Sequence, residues 1–86
     1  KTAIERKIGA ILDSGLQEGQ TDLETLPDGK VCGHVISSEF DGLSYQDRYK
    51  RVNELLDKSL SPKERLRVGT LLTYTPAEWA FEPEEA

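Results

Sequence analysis

Thr73-Tyr74-Thr75-Pro76-Ala77-Glu78-Trp79 is the stretch from which the fold of this chain can be worked out. A β-favouring run stops at Tyr74, a helix start follows at once, and the only tryptophan sits inside it. Thr75 suits the N-cap. Pro76 suits the first helical position, where a missing N–H removes no intrahelical bond. Glu78 is placed to reach back to the cap nitrogen, which completes a capping box. Ser61-Pro62-Lys63-Glu64 repeats that logic fourteen residues upstream, as roughly one short turn of helix. The piece between the two motifs, Leu66 to Tyr74, is therefore bounded on both sides and predicts a strand, with a terminal helix over Pro76 to Phe81.

Working outward, Ala3, Ile4, Ile8, Ile11, Leu12 and Leu16 recur at three-to-four spacing with Glu5, Arg6 and Asp13 off the stripe. That periodicity predicts an amphipathic helix ending between Gly15 and Gly19. Thr21 to Leu26 and Val31 to Phe40 predict two strands. The Asp28-Gly29 step between them predicts a tight hairpin, because glycine accepts the positive φ of the reversal. Asp41-Gly42 ends the second strand, and Ser44 with Asp47 opens another helix whose apolar stripe runs Tyr45, Tyr49, Val52, Leu56, Leu60. The expected architecture is α+β in the order α-β-β-α-(α)-β-α, with helices packed on one face of a three-stranded mixed sheet. The third strand follows a helical crossover and so is expected to pair in parallel. Residues 1–82 form one expected domain, and 83–86 a flexible acidic tail.

Composition narrows the function. Eighty-six residues with 36% hydrophobic content suit one small core. No apolar run approaches the ~18 residues of a membrane span, and no signal segment opens the chain. The single cysteine excludes an internal disulfide and fits a reducing compartment, either the cytoplasm or an organelle reached through a leader not in this sequence. The chain begins at Lys1 rather than Met, which leaves room for such a leader or for a neighbouring segment of a longer protein. The net charge of −5 disfavours a general nucleic-acid binder. The acid is unevenly spread, however, and Arg48, Lys50, Arg51, Lys58, Lys63, Arg65 and Arg67 concentrate base between 45 and 67.

Catalytic chemistry finds little to work with. His34 is the only histidine, and no nucleophile–base arrangement or phosphate-cradling glycine loop is present. Cys32 and His34, two apart on a strand, share one face and are the only candidate metal ligands of that type; zinc would need further ones. The other feature is the basic cluster, with Arg48, Lys50, Arg51 and Lys58 off the apolar stripe and Arg65 and Arg67 leading into the third strand. It is a solvated face or a docking surface for an acidic partner, a phosphate or a carboxylate.

Three blocks resemble the BolA-like proteins. Ile36-Ser37-Ser38 with Phe40-Asp41-Gly42 is similar to their V-S-x-x-F-x-G step. Arg48-Tyr49-Lys50-Arg51-Val52-Asn53 resembles their R-H-R-x-V-N/Y helix segment, and Leu72 to Trp79 their closing Y-T-P-x-E-W. The order of elements matches over residues 3 to 81. The resemblance implies a domain related to the type II KH fold and a non-enzymatic, monomeric adaptor. It implies a monothiol glutaredoxin or related redox partner, with roles in iron–sulfur handling, stress, cell morphology and transcription.

It also implies a bridging [2Fe-2S] cluster. The family supplies a histidine at the start of the third strand, in an [IV]-H-A motif, and a Cys or His from the loop between the first two strands. Here Arg67 stands at the histidine position, that loop is a tight turn at Pro27 to Lys30, and Cys32 lies too near Phe40 for the usual spacing. A guanidinium stays protonated and cannot ligate iron. The expectation is therefore partner binding through Arg48, Lys50, Arg51, Asn53, Arg65 and Arg67 without standard cluster ligation. The alternative is a nucleic-acid-binding transcriptional or stress regulator using the basic helix 45–60 with Arg65 and Arg67. The missing G-x-x-G loop speaks against it.

Overall fold

A computed structural model describes residues 2–81. The elements are α1 (Ala3–Gly15), β1 (Gln20–Thr25), β2 (Val31–Ile36), α2 (Tyr45–Ser59), α3 (Pro62–Arg65), β3 (Val68–Tyr74) and α4 (Pro76–Ala80). The expected acidic tail at 83–86 lies outside the described residues.

The strands lie in the order β1-β2-β3, with β1 antiparallel and β3 parallel to β2. The β1–β2 reversal closes on Leu26 and Lys30, with the Gly29 N–H donating to the Leu26 carbonyl and the Lys30 N–H to Asp28 Oδ1. Gly29 takes a φ of 89°, as the Asp-Gly step requires. Gly33 is a second position where only glycine fits. A Cβ there would lie 2.1 Å from the Asp22 carbonyl oxygen of β1. Ladder pairing steps two residues on β2 (Val31 to Gly33) while β3 advances three (Val68 to Leu71), so β3 carries a bulge at its start.

One face of the sheet carries the core. Ile4, Ile8, Leu12 and Leu16 of and just after α1 pack with Leu23, Val31, Val35 and Leu71 of the strands and with Val52, Leu56 and Leu60 of and just after α2. Strand alternation sends Cys32, His34, Leu72 and Tyr74 to the other face. There the His34 ring stacks on Trp79, with centroids 4.1 Å apart. The short α4 thus sits at the end of β3, with Trp79 reaching the face that α1 and α2 leave uncovered.

Two expectations need correction. The second strand stops at Ile36 instead of running to Phe40. The Ser37 hydroxyl donates to the Gln17 carbonyl and accepts from the Glu39 N–H, which opens a 3₁₀ turn over Ser38–Phe40. That turn swings Phe40 fully into the core. Second, Tyr45 and Tyr49 are not core residues: they are 63% and 37% exposed. The buried line of α2 is Arg48, Val52, Leu56, so Arg48 occupies the stripe it was expected to avoid.

Candidate functional site

The six residues expected to bind a partner separate into three groups. Arg48 is only 5% exposed. Its Nη1 and Nη2 donate to the two carboxylate oxygens of Glu78 at 2.8 and 3.0 Å, its Nε to the Leu43 carbonyl, and Nη1 also to the Thr73 carbonyl. The Tyr45 ring lies over the guanidinium, 4.8 Å from centroid to carbon. A buried arginine is tolerable because its planar fork is matched by a carboxylate and two carbonyls. Its side chain clips α2 to α4 and to the end of β3.

Arg51 and Arg65 are half-buried and also committed. Arg51 Nε donates to Glu39 Oε1 at 2.8 Å and its Nη2 to the Gly15 carbonyl, which ties α2 to the end of α1. Arg65 bridges Asp57 through Nε and the Asn53 side-chain oxygen through Nη2. That contact uses the Asn53 oxygen and not its amide NH₂. The cluster inferred from charge density is in large part a set of intramolecular ties.

Lys50 and Arg67 are exposed. Arg67 lies between α3 and β3, and its Nε donates to the Gly29 carbonyl at 2.9 Å. It therefore lies over the β1–β2 turn, joining the two places where the family resemblance implies cluster ligands. With Lys63, Ser61 and Ile4 it borders a cleft of about 380 Å³. Glu64 on the same rim is held by Lys7 at 2.8 Å.

The donor set fits an iron–sulfur cluster poorly. Arg67 offers no lone pair to a metal. His34 is stacked against Trp79 and edge-on to Tyr74. The Cys32 thiol fills the space above Gly69, where a Cβ would come within 2.6 Å of Sγ. Among the described residues no three His, Cys, Asp or Glu side chains converge as a metal site needs. The small residue at position 69 is thus matched to the cysteine beside it across the bulge.

Electrostatics follow the same geometry. The bonds from Arg48 and from the Thr75 N–H, working against a smaller desolvation, pull Glu78 down to about 2. Burial pushes Glu39 upward, but the Arg51 side chain and the Gln17 N–H outweigh it, and the carboxyl ends below its ordinary value. Glu64 is lowered by Lys7 and by the Ser61 N–H. Sequence reading gave no role to Glu39 and gave Glu78 only that of a helix cap. A usable signal existed for Glu78's partner, since Arg48, Val52 and Leu56 are spaced by four on one helix face.

No helix among the described residues is long and apolar enough to cross a membrane. No protein-family model matches the chain. A search of curated proteins likewise finds no match. Solved structures do match. A bolA protein homologue from Coxiella burnetii superimposes with a TM-score of 0.71 at 24% identity, over 94% of this chain and 99% of that one. A bol-like protein from Babesia bovis gives a TM-score of 0.59 at 22% identity, over 86% of each chain. The three-stranded mixed sheet with its helices therefore has the BolA-like fold.

Proposed function

We propose that this chain is a non-enzymatic BolA-like adaptor that docks a monothiol glutaredoxin or a related redox partner as a monomer, without contributing standard ligands to a shared [2Fe-2S] cluster. The observation that carries the proposal is Arg67, an exposed guanidinium anchored to Gly29 over the β1–β2 turn. The fold supports the adaptor half of the proposal, and the cation at the histidine position supports the loss of ligation. Lys50, Asn53 and Arg67 supply the polar contacts to an acidic or carboxylate-bearing partner. The nucleic-acid alternative has less support, because Arg48, Arg51 and Arg65 are paired with Glu78, Glu39 and Asp57 and offer little charge to phosphates.

The test is a mixture with a monothiol glutaredoxin reconstituted with iron and sulfide, followed by absorbance and by ¹⁵N NMR. Amide shifts around Lys63 to Val68 without a new charge-transfer band are expected. A mixed-cluster spectrum that survives Cys32→Ser together with His34→Ala would refute the loss of ligation. The absence of any shift would refute docking itself.

A further inference from the structure

The face of the sheet that α1 and α2 leave uncovered combines exposed rings with unpaired carboxylates. Thr21 and Thr25 bond to Asp13 and Glu5 of α1, and Leu23 enters the core, so strand alternation sends Asp22 and Glu24 to the uncovered face. Cross-strand register then sets Asp22, His34 and Leu72 in one row, with Glu24 beside Cys32 in the next. The His34 ring carries the Trp79 indole, and Tyr74 lies tilted against the same indole at 5.3 Å. Even so, Trp79 is 47% and Leu72 48% exposed. Among the described residues the ion pairs use Glu39, Asp57, Glu64 and Glu78, and neither Asp22 nor Glu24 has one. Arg67 does not supply the missing cation, because it is bonded at the β1–β2 turn, to the Gly29 carbonyl.

We propose that this face docks a basic segment of a partner protein. A lysine or arginine of that segment sits between the Asp22 and Glu24 carboxylates and the exposed Trp79 indole, and a neighbouring apolar side chain packs on Leu72. Charge complementarity selects the partner, since an aromatic face attracts a cation and carboxylates beside it add to the attraction. The platform is held before any partner arrives, because Glu78, next to Trp79 in α4, is clamped by the buried Arg48. Such preorganisation lowers the cost of binding. Rings on a sheet also suit single-stranded nucleic acid, but that ligand needs cations beside the rings, and the neighbouring row here is acidic. A second copy of this chain fits less well too. Each copy carries a net charge of −5, and the exposed Lys50 and Lys58 of α2 stand among Asp47, Glu54 and Asp57.

The site shares no residue with Lys50, Asn53 and Arg67, so the failure of glutaredoxin docking there leaves it standing. Trp79 is the only tryptophan, and its fluorescence reports this site directly. The experiment pans phage-displayed random peptides on the wild-type chain. The enriched peptides, synthesised, are then titrated against Trp79 emission and ¹⁵N amide shifts. Peptides bearing lysine or arginine beside an apolar residue are expected, with shifts at Asp22, Glu24, His34 and Leu72 and binding that weakens as salt rises. Asp22→Asn/Glu24→Gln, two exposed changes whose folding is checked by circular dichroism and urea midpoint, should bind roughly five- to tenfold more weakly and lose most of the salt dependence. Leu72→Thr should weaken binding and keep that dependence. No enrichment, enrichment of acidic peptides, equal binding to the folded double variant, or a footprint on α2 or at Arg67 would overturn the proposal. So would an oligothymidylate that binds at Trp79 more tightly than any peptide, or a concentration-dependent dimer that buries Trp79 in the free chain.

Discussion

Ser61-Pro62-Lys63-Glu64 and Thr75-Pro76-Ala77-Glu78 are two copies of one local device. In both, the hydroxyl accepts from the glutamate N–H at 3.1 Å and the glutamate carboxylate accepts from the cap N–H at 2.9 Å. Proline follows the cap in each. What differs is the long-range partner of the glutamate. Glu64 meets Lys7, whose side chain is 46% exposed, whereas Glu78 meets Arg48, whose side chain is 6% exposed. The same four-residue motif therefore starts a surface turn in one place and neutralises a buried cation in the other. Local sequence sets the cap, and burial of the partner sets how much depends on it.

The largest effect should come from removing the two glutamates in turn. Glu78→Ala strands Arg48 in the core. Breaking a fully buried pair costs roughly 3–5 kcal/mol, and with the Glu78 carboxylate partly in solvent and two carbonyls still bonded to Arg48, about 2 kcal/mol is expected here. Glu64→Ala should cost only a fraction of that. Urea denaturation of the two variants checks the ratio, and equal losses would break the comparison.

Next is pH. Glu78 is lowered to about 2 from an ordinary value near 4.5, so its ionised form stabilises the fold. That contribution is complete above the unfolded value and drains away as pH falls from 4.5 towards 2. Urea midpoints across this window should fall more steeply for the wild type than for Glu78→Gln. Glu64→Gln, by contrast, should keep most of the slope. A Glu78→Gln profile parallel to the wild type would show that the Arg48 pair is not what acid breaks.

At the cap residues the difference should vanish. Thr75→Ala and Ser61→Ala each lose one side-chain acceptor for a backbone N–H and should each cost about 1 kcal/mol. A gap between them as wide as that between the glutamate variants would mean that the cap hydroxyls, too, are controlled by their tertiary surroundings. Smallest of all is Lys7→Ala, which removes an exposed pair and should leave the urea midpoint within error of wild type in 0.15 M salt or above.

Much of the fold was legible in the chain because its signals are short-ranged. The Asp28-Gly29 reversal, both capping boxes and the apolar stripe of α1 rest on contacts within a few residues. The crossover between β2 and β3 was enough to expect their parallel pairing. The 3₁₀ turn at Ser38 was not legible. It depends on the Gln17 carbonyl, which accepts from Ser37 Oγ across twenty residues of sequence and a chain reversal. The candidate site was legible only in composition. Charge density and the family resemblance together gathered six residues, but whether an arginine faces solvent or a carboxylate depends on what the sheet and α4 bring beside it.

The division is clearest in the stretch from Thr73 to Trp79. Sequence alone fixed the end of the strand, the Thr75 cap, the proline at the first helical position and the reach of Glu78 back to its cap, because these act over three residues. Only the tertiary structure decided that the same carboxylate meets Arg48, thirty residues away, and that Trp79 lies on His34 across the sheet. Local hydrogen bonds are chosen by residue type and spacing. A buried charge is assigned its partner only when the helices have packed and water has been expelled from between them.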